Sequence, residues 1–290
     1  MSLAATQIDS HSIAQVSKQA QTLVRFISQF ESCAVALSAG VDSSVVAKAA
    51  FLAVGDRALA VTAQSASLAS GELQLAQQTA KLIGIRHQVI ETAEFENADY
   101  LRNAGDRCYH CKTELYQKLQ SLAASTAGCV LLSGTNLDDL GDYRPGLAAG
   151  VEHQVVTPLA DCRFDKSTVR DIAKFWDLPV WDRPASPCLS SRIAYGETVT
   201  PERLAMVDAA ECFLRDRGFT DVRVRYHRND LASIEVNAEQ ITDLTSAAMR
   251  QNVDTKLRSL GFAVVTIDLR GFQSGSLNQL LQIQTGTPVY

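Results

Sequence analysis

The chain has 290 residues, 46% of them hydrophobic and 20% charged, with a formal net charge of −5. That length suits about two domains with a sizeable core, and the acidic balance gives no support for a generic nucleic-acid binder. No run approaches the ~18 apolar residues of a membrane span and the amino-terminal stretch lacks the apolar centre of a secretory signal, so a cytoplasmic protein without a membrane partner is expected. Seven cysteines are an odd number in a chain too long to need disulfide staples, which leaves metal or catalytic use open.

In chain order, an amphipathic helix (Ile13, Val16, Leu23, Val24, Phe26, Ile27) leads into apolar strand-like runs at Ala34 to Leu37, Ala58 to Thr62, His87 to Ile90 and Val130 to Leu132, with helical patterns between them. This alternation predicts an α/β fold with a parallel sheet, whose ligands sit beyond the carboxyl ends of the strands. Those ends carry Ser38 to Ser44, Thr62 to Ser67 and Ser133 to Asp139. A helix is predicted over Lys166 to Phe175 with Asp165 as its N-cap, and the first domain closes near residue 197. From about residue 198 the pattern becomes helix (Pro201 to Arg217), strand (Val222 to Tyr226), strand (Ser233 to Val236), helix (Glu239 to Leu260) and strand (Ala263 to Ile267). That reads as a small α+β domain over 198–290.

The first chemistry-bearing stretch is Leu37-Ser38-Ala39-Gly40-Val41-Asp42-Ser43-Ser44. A small-residue turn opening a helix aims unpaired backbone N–H groups and the positive end of the helix dipole at one point, a ready-made anion site. Ser38, Ser43 and Ser44 add hydroxyl donors suited to phosphate, whereas Asp42 would repel a bare phosphate and so implies a bound Mg²⁺ or a capping role. No Lys follows Gly40, so this is not a Walker A loop. At the end of the fourth strand, Gly134, Thr135 and Asn136 offer flexibility and polar groups, and Asp138 or Asp139 is placed to hold Mg²⁺ against a triphosphate. Arg144, just beyond, suits an anionic ligand.

Arg107-Cys108-Tyr109-His110-Cys111-Lys112 contains a CxxC, spaced for one metal or for a redox pair at the start of a helix over Thr113 to Leu122. Cys188, in Ser186-Pro187-Cys188-Leu189-Ser190-Ser191-Arg192, is the further cysteine in a special setting. Cys33, Cys129, Cys162 and Cys212 read as small buried residues. Three thiolates fall one short of the set that saturates a [4Fe-4S] cluster and would leave one iron open, while His110 or His153 could complete a zinc site instead. In the second domain Arg223, Arg225 and His227 alternate with Val222, Val224 and Tyr226, which puts the cations on one strand face. Arg270 adds to a possible phosphate clamp there.

The loop Ser38 to Ser44 resembles the pyrophosphate loop of the PP-loop ATP pyrophosphatases, an adenine nucleotide alpha hydrolase-like fold, with Ala39 where that family has Gly. If the turn needs a positive φ there, Ala39 takes a strained path. With the CxxC segment, Gly134-Thr-Asn-Leu-Asp-Asp, Asp142-Tyr-Arg-Pro-Gly, Ser186-Pro-Cys-Leu-Ser-Ser-Arg-Ile, Val222-Arg-Val-Arg-Tyr-His and Gly275-Ser-Leu-Asn, the chain resembles the LarE family of ATP-dependent sulfur transferases. The resemblance implies adenylylation of a carboxylate on a pyridinium dicarboxylate mononucleotide, then replacement of AMP by sulfur, in nickel-pincer nucleotide synthesis for lactate racemase maturation. It implies ATP and Mg²⁺ as cofactors, with Ser38, Gly40, Val41, Asp42, Ser43, Ser44, Gly134, Thr135 and Asn136 on the phosphates and Thr62, Gln64 or Ser65 at the adenine. Asp42 and Asp138 would take the Mg²⁺, Asp139 a catalytic place, and Arg144, Arg192, Arg223 and Arg225 the substrate phosphate. Members of the family either sacrifice one cysteine, equivalent to Cys188, or hold a [4Fe-4S] cluster on three; Cys108, Cys111 and Cys188 match the second kind, fed by a sulfide source. A homo-oligomer acting on a small nucleotide is expected. A tRNA thiolase of the same superfamily and a non-catalytic nucleotide sensor are the alternatives.

Overall fold

The computed structural model describes residues 10–124, 128–141 and 145–273. In chain order these form α1 (Ser10–Ile27), β1 (Ser32–Ala36), α2 (Val41–Val54), β2 (Ala58–Gln64), α3 (Glu72–Ile83), β3 (Arg86–Glu91), α4 (Ala98–Leu101), α5 (Arg107–Ala123) and β4 (Cys129–Leu132). There follow α6 (Pro145–Glu152), α7 (Pro158–Asp161), α8 (Lys166–Phe175), α9 (Pro201–Arg215), β5 (Arg223–His227), β6 (Leu231–Glu235), α10 (Ile241–Thr245), α11 (Ala247–Ser259) and β7 (Val264–Ile267).

The chain divides into two compact units that do not follow its linear order. One takes in the described chain up to Gln64 with Gly71–Thr92 and Lys112–Ser186; the other takes in Ser65–Ser70, Ala93–Cys111 and the chain from Pro187. The boundary expected at residue 197 therefore differs from the observed one in two ways. The last residues of the expected first domain, from Pro187, join the second unit, and so do two earlier segments, one of which carries the CxxC.

The first unit is built on a parallel sheet in the order β3-β2-β1-β4. Strand order reverses between β1 and β4, so the loops that leave the carboxyl ends of these two neighbours flank a topological switch point, the usual ligand crevice of an open α/β sheet. β1 and β2 are rich in Ala and Val because they are covered on both faces: Val35 and Cys33 on β1 and Ala60 on β2 are fully buried. α2 is apolar all round, with Val45, Val46, Ala47, Ala49 and Ala50 inaccessible, which makes it the central helix of this core. α8 packs into the same core through Val169, Ile172 and Ala173. Its N-cap is Asp165, whose side chain accepts from the Thr168 N–H, as the sequence predicts.

The second unit pairs β5 antiparallel with β6 and β6 parallel with β7. Its core combines Val222, Val224, Tyr226, Ile234 and Val236 with Leu204, Val207 and Leu214 of α9, and with Tyr100, Leu189 and Ile193 from before residue 198. The single helix predicted over 239–260 is interrupted at Ser246, where extended backbone (φ −54, ψ 147) separates α10 from α11. The helix after the CxxC starts earlier than predicted, at Arg107, so Cys108 and Cys111 lie on α5 itself.

Candidate functional site

Ser38 to Ser44 joins β1 to α2. Gly40 is the N-cap in extended conformation, without a side-chain cap of its own. The serines serve the turn in a defined way. Ser43 Oγ accepts from the Ser38 N–H at 3.2 Å and donates to Gly40 O at 3.1 Å, and Ser44 Oγ donates to Gly40 O at 2.8 Å. Ala39 has φ 58 and is fully buried. The turn does require the left-handed region, and its methyl is held in the apolar core. Arg183 ties the loop from outside, donating to Ala39 O at 3.5 Å while its two terminal nitrogens bind both oxygens of Glu72.

The loop after β4 lies directly against this turn. A Cβ on Gly134 would sit 2.7 Å from the Ser43 backbone nitrogen, so only glycine permits the approach. Thr135 and Ser133 share a hydroxyl contact at 3.2 Å. Asn136 is the organiser: its Oδ1 accepts from the N–H groups of Asp138 and Asp139, its own N–H donates to Asp139 Oδ2, and its Nδ2 donates to Asp42 Oδ1 at 3.0 Å. Asp138 Oδ2 accepts from the Lys166 N–H at 2.9 Å. Asp42 Oδ2 meets the Lys166 ammonium at 2.5 Å.

The structure thus brings Asp42, Asn136, Asp138 and Asp139 together as expected, and adds Lys166, which sequence reasoning missed. A lysine opening a helix stands at the positive end of the helix dipole, disfavoured by roughly 0.3–1 kcal/mol, and nothing in the sequence announces its partner. The expected Mg²⁺ ligands Asp42 and Asp138 are hydrogen-bond acceptors in this arrangement. Among the described residues no three His, Cys, Asp or Glu side chains gather as a metal-ion site. A Mg²⁺ held mainly by nucleotide phosphates needs only one or two protein carboxylates, a number that Asp42 and Asp138 can supply.

Thr62, expected near adenine, is buried and its hydroxyl is committed elsewhere. Oγ1 donates to Leu37 O and contacts His87 Nε2, both at 2.8 Å. Its one proton being spent on Leu37, the imidazole must donate from Nε2. Burial pushes the His87 imidazole below its usual range. Ser65, in the second unit, donates at 2.5 Å to Glu94 Oε1, which also accepts from Ser67. Ser70 donates to Asp208, and α3 is capped by Gly71.

In the second unit Cys108 and Cys188 are exposed and Cys111 half-buried, whereas Cys33 is buried and its thiol pushed up to about 12 by burial. The turn that carries Cys188 is clamped from several sides. Arg192 donates to Pro187 O at 2.5 Å and Cys188 O at 3.1 Å, and pairs with Glu211, both side chains being fully buried. Arg107 donates to Ser190 O at 2.8 Å and to Asn103 Oδ1. Tyr100 and Ser190 share a hydroxyl contact at 2.7 Å. Burial opposes charge on Arg107, yet the sulfurs of Cys188 and Cys108 hold its guanidinium above the usual range.

Arg192, expected at the substrate phosphate, is spent on this scaffold. Arg225 is bidentate to Glu235 at 3.0 and 2.8 Å and reaches Ser191 O at 3.1 Å, so it too is engaged inside the unit. Arg223 donates to Val222 O at 2.8 Å and lies over the Phe272 ring, and burial first, then Arg192, push it down to about 10. Arg144 lies outside the described residues, as does the Gly275 segment. Cys108, Cys111 and Cys188 share one unit, and among the described residues no three His, Cys, Asp or Glu side chains gather as a metal-ion site. His153 is bound to Gln120 at 3.0 Å in the other unit.

A glycine-containing turn opening the central helix, at the switch point of a parallel sheet, is the arrangement of an ATP-using α/β enzyme of the PP-loop class. A family model described as asparagine synthase matches residues 21–125. The chain is 36% identical over 271 residues, 93% of its length and 97% of the relative's, to the pyridinium-3,5-bisthiocarboxylic acid mononucleotide synthase of Lactiplantibacillus plantarum. It belongs to the family of that synthase. An uncharacterized protein of Synechocystis is 43% identical over 90% of the chain and 97% of its own length, and one of Methanocaldococcus jannaschii 28% identical over 83% and 90%.

Proposed function

We propose that the chain is an ATP-dependent sulfur transferase that adenylylates a carboxylate of a pyridinium dicarboxylate mononucleotide and replaces AMP by sulfur, on the route to a nickel-pincer nucleotide for lactate racemase maturation. The observation that carries this reading is Cys188, an exposed thiol whose backbone carbonyl is held by the buried Arg192, in a chain whose relative is a synthase of a bisthiocarboxylic mononucleotide.

A carboxylate is a poor acyl donor; attack of its oxygen on the α-phosphorus of ATP makes AMP the leaving group and expels pyrophosphate. Ser38, Gly40 to Ser44 and Gly134 to Asn136 line the turn whose backbone N–H groups take the phosphates, the Ser43 and Ser44 hydroxyls being turned onto Gly40 O. Ser65 belongs to the segment assigned to the adenine, and Arg223, on β5, is assigned to the substrate phosphate. The Cys188 thiolate then adds to the acyl carbon and AMP departs with the bonding pair. Loss of the Cα proton of residue 188 forms a Cα=Cβ double bond, breaks Cβ–S and releases the thiocarboxylate. A [4Fe-4S] cluster on Cys108, Cys111 and Cys188 is the other source of sulfur the family offers, and the intact mass after reaction separates the two.

Full-length protein incubated anaerobically with MgATP and pyridinium-3,5-biscarboxylic acid mononucleotide should release pyrophosphate only when the mononucleotide is present. One thiocarboxylate should appear per chain, and Cys188 should lose H₂S in the intact mass. Repeated turnover with sulfide and an unchanged mass would transfer the sulfur to a cluster. Pyrophosphate release indifferent to the mononucleotide would sink the sulfur-transfer reading.

A further inference from the structure

One residue between β1 and α2 adopts a backbone conformation that L side chains avoid. Ala39 has φ 58 and is fully buried, with its methyl in the core of the first unit. A left-handed alanine is disfavoured against the extended and helical regions, so the turn is prone to relax wherever the peptide that follows is free. Both ends of that peptide are held. Its N–H, on Gly40, donates to Ser38 Oγ at 3.5 Å, and its carbonyl, on Ala39, accepts from Arg183 Nη1 at 3.5 Å.

The tie to the carbonyl comes from outside the loop and is braced along its length. The Arg183 guanidinium is planar, so the N–H bonds it directs to both oxygens of Glu72 set the direction in which the other N–H of Nη1 points. Glu72 opens α3, where a carboxylate suits the helix dipole, and it also accepts from Ser186 Oγ at 3.0 Å. The strap that carries Arg183 is fastened to α8. Arg170 donates to Arg183 O at 3.3 Å, and the Lys174 ammonium lies 4.9 Å from the centre of the Trp181 ring. Glu72, Arg183 and Ser186 all belong to the unit that contains the loop.

We infer that Arg183 is a positioning residue for the ATP reaction: by holding the Ala39 carbonyl it keeps a strained alanine left-handed, and so keeps the N–H groups that open α2 aimed at the phosphates. Glu72 is its brace. Arg183 touches no phosphate in this role and acts through Ala39. This rests on the reading of Ser38 to Ser44 as the phosphate loop. Glycine at position 39 takes the left-handed conformation without penalty, so the dependence on Arg183 disappears with it.

Calorimetric titration of the full-length protein with MgATP, without the mononucleotide, tests this as a cycle on wild type, Arg183→Met, Ala39→Gly and the double variant. With Ala39 in place, Arg183→Met should weaken ATP about tenfold, the order of the left-handed penalty for an L residue. In the Ala39→Gly background the same change should weaken it less than about twofold. Glu72→Gln keeps the guanidinium and removes its bidentate brace; it should show a smaller loss with the same rescue, and it decides the matter where Arg183→Met does not fold. ATP affinity within about twofold of wild type in Arg183→Met would overturn the inference. So would an equal loss in both backgrounds, since Arg183 would then bind phosphate itself or serve the strap alone. With Glu72→Gln in its place, an undiminished affinity or an equal loss in both backgrounds counts against the inference in the same way. Wild type that binds no ATP would overturn the reading of the loop, and this inference with it.

Discussion

Arg223 and Arg225 stand on the same strand, and their surroundings set them different tasks. Arg225 and Glu235 are a buried bidentate pair. Replacing Arg225 by Ala leaves a buried carboxylate uncompensated and should cost about 3–5 kcal/mol, read as a fall in the urea midpoint. Arg223→Ala should weaken the mononucleotide substrate by a charge-assisted contact of ~1.5–3 kcal/mol, roughly ten- to a hundredfold in Kd. The reverse pattern would exchange the two roles. Asp42→Ala and Ser43→Ala should abolish pyrophosphate release with substrate present; wild-type release by either would remove the loop from the chemistry. His87 sets a pH dependence. Burial holds its folded imidazole below the usual value near ~6.5, so below that pH the unfolded chain binds more protons and stability declines as pH falls. His227, lowered by burial and then by Arg225, acts with the same sign. Urea unfolding at two pH values on either side of ~6.5 should show a smaller loss on acidification in His87→Gln than in wild type.

At the scale of elements, the site depends on two loops from neighbouring strands meeting without a side chain between them. Gly134→Ala would place a Cβ against backbone at the start of α2, and the helix start must shift. A cost of about 1–3 kcal/mol and loss of ATP binding are expected, measured by thermal midpoint and titration. The alternation of apolar strands with helical patterns made the parallel sheet, α2 and α8 legible from sequence, and Asp165 is a cap because its type and position leave it little else to be. The partner of Lys166 was not legible. A lysine opening a helix reads as a solvated end, and only the fold brings it to Asp42. Arg192 misled for the opposite reason: a guanidinium beside a special cysteine reads as an anion binder, and its burial against Glu211 is a long-range fact. The break at Ser246 was hidden because helical periodicity runs on both sides of it.

At the scale of the molecule, the chain changes unit after Gln64, Ser70, Thr92, Cys111 and Ser186. A fragment of residues 198–290 therefore lacks Tyr100, Leu189 and Ile193 from the core it would need. Expressed alone it should show no cooperative urea transition; a sharp one would return the boundary to residue 198. The interleaving also fixes an order in time. On the ribosome, Phe95, Tyr100 and Leu101 emerge with Cys108 and Cys111 long before β5, β6 and β7, whose residues complete their core. At ordinary elongation rates that interval is on the order of ten seconds. For that long a greasy segment with two thiols waits for partners not yet made, so the nascent chain, more than the finished enzyme, is where oxidation and aggregation threaten this protein.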